Sequence, residues 1–113
     1  MAAQEFGCRA VGIELDEKLR RHAENKVKEY GLEERVRFRG EDFFRADLRE
    51  ATVVTLYLLT AVNGHLAPRL ASQLGKGSRV VALDYEVPGW RFAESKAIQS
   101  EGKVDYTVYL YRR

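Results

Sequence analysis

A carboxylate at the end of a short apolar strand is the first feature of this sequence that could do chemistry. The segment Ala10–Asp16 reads Ala-Val-Gly-Ile-Glu-Leu-Asp. It predicts a strand that ends in Glu14, followed by Asp16 as the N-cap of a helix. In α/β sheets, ligands bind beyond the carboxyl ends of the strands. A carboxylate there accepts both hydrogen bonds of a ribose 2′,3′-diol, so Glu14 is a candidate ribose ligand; the alternative is an acid that is simply solvated.

Metal binding and nucleophilic catalysis have little support in the sequence. His22 and His65 have no second His, Cys or acid at ligand spacing, so surface histidines are favoured over metal ligands. No serine lies in a Gly-x-Ser-x-Gly turn, which argues against a hydrolase triad. The single Cys8 excludes an internal disulfide and a cysteine zinc site. We expect it to be a small buried residue rather than a nucleophile.

Tyr57 and a row of arginines each allow two interpretations. Tyr57 either fills space above a buried strand or shapes a binding pocket. Arg35, Arg37 and Arg39 alternate with apolar residues, which predicts a short strand with one solvated face. Such a row protects a sheet edge from pairing with another chain or binds phosphates, and edge protection is the favoured interpretation.

The composition is that of a globular protein. The chain has 113 residues, 45% hydrophobic and 32% charged, which predicts one domain over residues 1–113. A net charge of +2 gives no argument for a nucleic-acid partner. The sequence shows no membrane span and no signal peptide, so we expect a cytoplasmic protein without a membrane partner. The density of Lys, Arg and Glu suits a thermophile.

Strand–helix units position these candidate residues. Met1–Phe6 resembles the tail of a helix. Asp16–Tyr30 is a helix, with Leu19, Ala23, Val27 and Tyr30 on one apolar face. Thr60–Leu74 is a second helix, with Asn63 as a possible N-cap and Pro68 tolerable only in its first turns.

Two long apolar runs predict buried parallel strands. They are Thr52–Leu59 and Arg79–Tyr85, and the first suits a strand that is buried on both faces. We therefore expect an α/β fold in which the Ala10, Thr52 and Arg79 strands lie parallel, with the Arg35 strand at one edge. Lys96–Ser100 and Val104–Tyr111, joined by a turn at Glu101-Gly102-Lys103, predict a terminal antiparallel hairpin.

This order of elements resembles the class I methyltransferases that use S-adenosylmethionine, in particular small archaeal protein-lysine methyltransferases and their mitochondrial lysine-methylating relatives. The likeness covers nearly the whole chain, and Leu56-Tyr57-Leu58-Leu59 followed by Asn63 is its most discriminating part. The segments that carry it are Val11–Asp16, Gly40–Phe44, Val53–Leu59 with Asn63, and Arg79–Val81 through Asp84 to Gly89-Trp90. It implies a Rossmann-like methyltransferase sheet in three layers, mostly parallel, with a C-terminal antiparallel hairpin.

The resemblance also implies a role for individual residues. Glu14 matches the acid that holds the ribose hydroxyls of the methyl donor. Asp42 matches the acid that binds the adenine amine, with Phe43 beside the ring. Leu56 and Tyr57 match the segment that lines the methyl-transfer site, which makes Leu56 a cofactor contact and Tyr57 a catalytic and substrate-binding residue. Asn63 and Trp90 are the further substrate-side candidates.

One departure from the family pattern lies at the start of the chain. The family begins with a strand and a Gly-rich turn that receives the methionine part of the donor, and only nine residues precede Ala10. The sequence therefore resembles an N-terminally truncated methyltransferase, and we expect weak or no S-adenosylmethionine binding. Three explanations of the missing strand and turn are open. The sequence is a stretch of a longer protein, the Ala10 and Thr52 strands pair directly, or two copies form a homodimer through the sheet.

Two other functions remain as alternatives. The first is a non-catalytic binding or dimerisation module that keeps the fold without a complete donor site. The second is another nucleotide-binding α/β domain that uses Glu14 for a ribose. The main prediction is methyl transfer from S-adenosylmethionine, with a protein lysine as the acceptor.

Overall fold

The computed structural model describes residues 7–99 and 105–113. The chain divides into two compact units, residues 1–46 and residues 47–113. The prediction of a helical tail at Met1–Phe6 and that of the hairpin turn at Glu101-Gly102-Lys103 fall outside the described residues. Within the described ranges, no helix is both long enough and apolar enough to cross a membrane.

The first unit is a parallel strand pair joined by one helix. Strand β1 (Ala10–Ile13) pairs in parallel with β2 (Val36–Arg39), and helix α1 (Glu17–Glu29) connects them. Asp16 begins the helix as predicted, because its carboxylate accepts a hydrogen bond from the Leu19 amide at 3.1 Å. A 3-10 turn (Phe43–Arg45) follows β2.

The core of the first unit is small. It consists of Val27 on α1 and Val36 on β2, with Ala10, Leu32 and Phe38 packed against them in partly buried positions. The predicted apolar face of α1 is therefore only partly covered, since Leu19 is 58% and Tyr30 51% exposed. The alternation predicted for β2 is confirmed, because Val36 is buried while Arg37 and Arg39 are exposed.

The second unit contains the remaining helix and four strands. They are β3 (Val53–Leu56), α2 (Thr60–Gln73), β4 (Arg79–Leu83), β5 (Glu94–Gln99) and β6 (Asp105–Arg112). Leu66, Leu70 and Leu74 are buried as the spacing of four predicts. Pro68 lies in the middle of α2, so its expected place in the first turns is wrong. It has no N–H for an intrahelical bond to the Gly64 carbonyl.

The sheet of the second unit has the order β3-β4-β6-β5. Strands β3 and β4 are parallel, with Leu56 opposite Ala82. Strand β6 then pairs antiparallel with both β4 and β5. The terminal antiparallel hairpin is confirmed, with β5 displaced by a few residues from its predicted start. The predicted α/β fold is confirmed, and within the described ranges two strand pairings are parallel and two are antiparallel.

The Thr52 strand lies at the end of the sheet of the second unit. The described residues of this unit form the strand order β3-β4-β6-β5, in which β3 pairs only with β4. This explains why Val53 is 41% exposed while Leu56, at the end of the strand, is 7% exposed. An apolar run shows that a strand is suited to burial, but its neighbours decide whether burial occurs.

Candidate functional site

Two acidic residues follow the neighbouring strands of the first unit. Ile13 and Arg39 lie opposite each other at the ends of β1 and β2, and the Glu14 amide still donates to the Arg39 carbonyl at 3.1 Å. Asp42 follows β2 by three positions. Since the strands are parallel, Glu14 and Asp42 extend from the same edge of the sheet, which is where ligands bind in such folds.

The carboxylate of Glu14 is held by the turn that begins α1. Its Oε1 accepts a hydrogen bond from the Asp16 amide at 3.1 Å, and the residue is half-buried. Asp16 in turn caps the helix through Leu19. Within the described ranges, the second oxygen of Glu14 has no protein donor. The turn thus fixes the carboxylate and leaves acceptor capacity for a ligand hydroxyl.

Asp42 is held in a similar way. Its Oδ1 accepts from the Phe44 amide at 2.9 Å and caps the 3-10 turn. The Phe43 ring, half-buried, lies 4.6 Å from that of Phe44 with a tilt of 48°. An acceptor next to an aromatic surface has the chemistry needed to bind an adenine amine and cover its ring. With Glu14 as an acceptor for ribose hydroxyls, these residues fit the adenosine part of S-adenosylmethionine.

The second unit carries the other candidate residues at the carboxyl ends of β3 and β4. Leu56 is the last residue of β3 and is buried at 7% exposure. Tyr57 comes directly after it and is 62% exposed. This exposure argues against the space-filling interpretation of Tyr57 within this unit, because an aromatic side chain that filled the core would be covered.

Asn63 has a different place from the one expected. Helix α2 begins at Thr60, and Leu59 precedes it without any side-chain cap, so the prediction of Asn63 as N-cap is wrong. Its side chain is 0% exposed. The amide nitrogen lies 3.2 Å from each of three carbonyl oxygens, those of Leu58, Tyr85 and Glu86.

The loop after β4 has two further anchors. Asp84 adopts a left-handed backbone with a φ of 63°; its amide donates to the Thr107 carbonyl at 2.7 Å, and its Oδ1 accepts from the Thr107 amide at 3.0 Å. The hydroxyl of Tyr111 accepts from the Val87 amide at 2.9 Å. These bonds fix the loop that leads to Trp90.

Trp90 packs against the sheet at the end of this loop. Its ring lies 5.8 Å from that of Tyr111, edge-on, and the Arg113 guanidinium lies 5.1 Å above it. Tyr111 is 1% exposed; its burial raises the pKa of the hydroxyl, while the hydrogen bond from Val87 acts in the opposite direction. Nothing in the residue spacing of the last strand indicates this polar contact.

The remaining candidates from the sequence are metal ligands and Cys8. In the part of the chain that the structure describes, no three His, Cys, Asp or Glu side chains are grouped to hold a metal ion. Cys8 is exposed, so its expected burial is wrong.

Comparison with known proteins identifies the family. The model of the ANTKMT methyltransferase domain matches residues 1–94. The chain belongs to this methyltransferase family. A protein-lysine N-methyltransferase of Saccharolobus islandicus is 39% identical over 111 residues, which are 97% of this chain and 68% of that protein.

Solved structures agree with this family. An RNA methyltransferase from Salinibacter ruber, crystallised with S-adenosyl-L-homocysteine, is 43% identical with a TM-score of 0.87; the match covers 98% of this chain and 69% of that one. A tRNA methyltransferase from B. subtilis, at 15% identity and a TM-score of 0.70, shares the fold over 92% of this chain and 49% of its own. The predicted resemblance and the prediction of S-adenosylmethionine-dependent methyl transfer are confirmed.

Proposed function

We propose that this methyltransferase domain transfers the methyl group to a lysine of a protein. The observation that carries the proposal is the 39% identity to the protein-lysine N-methyltransferase of Saccharolobus islandicus over almost the whole chain. When bound, S-adenosylmethionine supplies an activated methyl group on a sulfonium. The protein then has to bind the donor, orient a deprotonated amine in line with the methyl group, and exclude water.

The donor side of the proposal rests on four residues. Glu14 accepts hydrogen bonds from the ribose hydroxyls, and Asp42 accepts one from the adenine amine, with the ring of Phe43 beside it. Leu56, buried at the end of β3, supplies apolar surface next to the methyl-transfer position. The capped turns support these roles because they hold each carboxylate through one oxygen and leave the other available.

The acceptor side rests on Tyr57 and Trp90, which follow neighbouring strands of the second unit. Tyr57 is the proposed catalytic residue because its exposed ring and hydroxyl extend directly from β3. An aromatic ring favours a lysine side chain near its face, and the hydroxyl accepts a hydrogen bond from the amine. Trp90 borders the substrate entrance. Asn63 is fully buried, so we propose that it serves this side indirectly.

The acceptor is tested by methyl labelling. The purified protein is incubated with S-adenosylmethionine carrying a labelled methyl group and an extract of its own cells, and the products are treated with nuclease or protease. We expect label that resists nuclease and is found on lysine by mass spectrometry. A Tyr57→Ala variant should lower labelling by about 10²-fold or more. Leu59→Ala is the matched control, because Leu59 is 60% exposed on the same segment.

RNA is the second candidate acceptor. The Salinibacter relative, at 43% identity, is described as an RNA methyltransferase, and the exposed arginines of β2 are compatible with phosphate contacts. Label that resists protease and disappears with nuclease would support RNA and overturn the lysine proposal. Absence of label on any macromolecule would favour the non-catalytic module.

We also propose that the chain forms a homodimer through its sheets. The support is the open edge of β3: within the described ranges it pairs only with β4, and an unpaired strand edge invites pairing with another chain. Sedimentation equilibrium at micromolar concentration tests the proposal. A mass near 13.0 kDa at every concentration would refute it.

Two expectations from composition stay predictions. They are a cytoplasmic location, from the single cysteine, and a thermophilic source, from the charged composition. Thermal unfolding of the purified protein tests the second.

A further inference from the structure

The side chain of Asn63 joins two segments that the sequence keeps well apart. Its amide nitrogen lies 3.2 Å from the carbonyl oxygen of Leu58 and also 3.2 Å from those of Tyr85 and Glu86. Carbonyl oxygens only accept hydrogen bonds, so the atom that faces them is the NH₂ group. Asn63 is therefore a cross-link between the segment after β3 and the loop after β4.

These two segments carry the acceptor-side residues. Leu58 is the neighbour of Tyr57, and Glu86 lies four positions before Trp90. Neither segment belongs to a strand or a helix, so their backbone carbonyls lack the partners that regular structure provides. Asn63 supplies donors to both segments from the rigid frame of α2, through hydrogen bonds that are partly buried.

The other anchors of the loop after β4 do not perform this function. Asp84 is bound to Thr107, and Val87 to Tyr111, and both partners lie on β6. Those contacts tie the loop to β6, whereas Asn63 is the contact that ties it to the Tyr57 segment. The left-handed backbone of Asp84 adds a conformational cost of the kind that is retained where a loop must keep one shape.

We infer that Asn63 is a positioning residue, which holds the Tyr57 segment and the Trp90 loop in one fixed arrangement for the methyl acceptor. The inference rests on the proposed function for the identity of the acceptor side, but the cross-link itself does not. The amide acts through the backbone of its neighbours, since its own side chain is fully buried and its NH₂ group is engaged.

Trp90 is the only tryptophan of the chain, so its fluorescence reports on the loop without any assay of activity. In Asn63→Ala we expect acrylamide quenching of Trp90 to rise by about twofold, and exchange of the Val87 amide proton to accelerate about tenfold. Both are measured well below the unfolding temperature, with far-UV circular dichroism as the check on folding. Asn63→Leu keeps an apolar branch of similar shape but has no donor.

The two substitutions separate hydrogen bonding from packing. If the cross-link acts through its hydrogen bonds, Asn63→Leu shows the same rise in quenching as Asn63→Ala. Wild-type quenching and exchange in a folded Asn63→Leu variant would overturn the inference. Ser72→Ala is the control on the same helix, because its hydroxyl binds only the nearby Arg69 carbonyl, and it should behave as wild type. If neither Asn63 variant folds, Asn63→Gln is the further test, because it retains the NH₂ group. It should fold and restore part of the protection of Trp90 from quenching and of the Val87 amide from exchange. An Asn63→Gln variant that does not fold also contradicts the inference.

A kinetic measurement on the labelling reaction distinguishes this inference from the proposed function. With a methyl acceptor in hand, Asn63→Ala should lower kcat by about tenfold or more while the KM for S-adenosylmethionine changes little, because the donor-side residues are untouched. If the loss came instead from a higher KM for S-adenosylmethionine, with kcat unchanged, a positioning role on the acceptor side would be contradicted. Absence of methyl transfer by the wild-type protein would refute the proposed function and leave the fluorescence result standing.

Discussion

Replacement of Tyr111 by phenylalanine removes one hydroxyl from the most buried aromatic residue of the second unit. The ring remains, so its edge-on contacts with Trp90 at 5.8 Å and with Phe92 at 6.4 Å are retained. The hydrogen bond from the Val87 amide is lost, and Val87 is 1% exposed. A buried donor left without a partner costs about 1–3 kcal/mol, so we expect Tyr111→Phe to lower the free energy of unfolding at pH 7 by that amount.

The same substitution has a pH dependence with a definite sign. Burial raises the pKa of Tyr111 in the folded protein, while the unfolded chain loses this proton near pH 10. Between these two values the unfolded state binds fewer protons than the folded one, so stability falls as the pH rises. The slope for one group is at most about 1.4 kcal/mol per pH unit. Phenylalanine has no such proton, so the difference between wild type and Tyr111→Phe should shrink above about pH 10.

Urea unfolding at pH 7 and at pH values above 10 measures both effects. Tyr109→Phe is the matched control: Tyr109 is half-buried on the same strand and packs on Phe92 at 5.2 Å, and its hydroxyl has no hydrogen-bond partner among the described residues. It should cost less than about 0.5 kcal/mol. If Tyr111→Phe is as mild as this control at pH 7, the hydrogen bond is not a stabilising anchor. A difference that stays constant or widens above pH 10 would refute the titration argument.

Two further predictions concern the packing within each unit. Gly12→Ala should lower the free energy of unfolding by about 1–3 kcal/mol, since the new Cβ would collide with the ring of Phe38. Gly40→Ala is the control, because its new Cβ meets only the flexible end of the Arg20 side chain. It should cost much less in the same urea experiment. Leu70→Ala should cost about 2–5 kcal/mol, because Leu70 is 0% exposed, and a cost below 1 kcal/mol by thermal unfolding would show that this core readily collapses.

The local elements of the fold follow from the sequence because their causes are local. The helix after Asp16 was predictable because the N-cap, the spacing of apolar residues and the glycine after Tyr30 lie within one segment. That Glu14 and Asp42 each follow a strand was predictable for the same reason. The apolar run at Thr52–Leu59 gave the strand but not its place in the sheet, because the neighbours of a strand are not written in its own residues.

The polar contacts of the acceptor side could not be predicted because they join residues far apart in the chain. The sequence indicates Asn63 only as a polar residue near the start of a helix, where capping is the common role. Its partners after β4 lie more than twenty positions away, and no spacing rule relates an amide to carbonyls at that distance. The same holds for Tyr111, whose hydrogen-bond partner, the Val87 amide, lies twenty-four positions away.

The supporting contacts of the proposed donor side are local in the sequence, whereas those of the proposed acceptor side are not. Glu14 and Asp42 are each fixed by an amide two positions further along the chain, so a short motif contains both the functional acid and its support. Tyr57 and Trp90 lie on segments whose support comes from α2 and β6. A segment supported from distant elements can change its own sequence while its anchors stay in place. On the proposed roles, this arrangement makes Asn63 rather than Tyr57 the position where substitution should disturb both segments together.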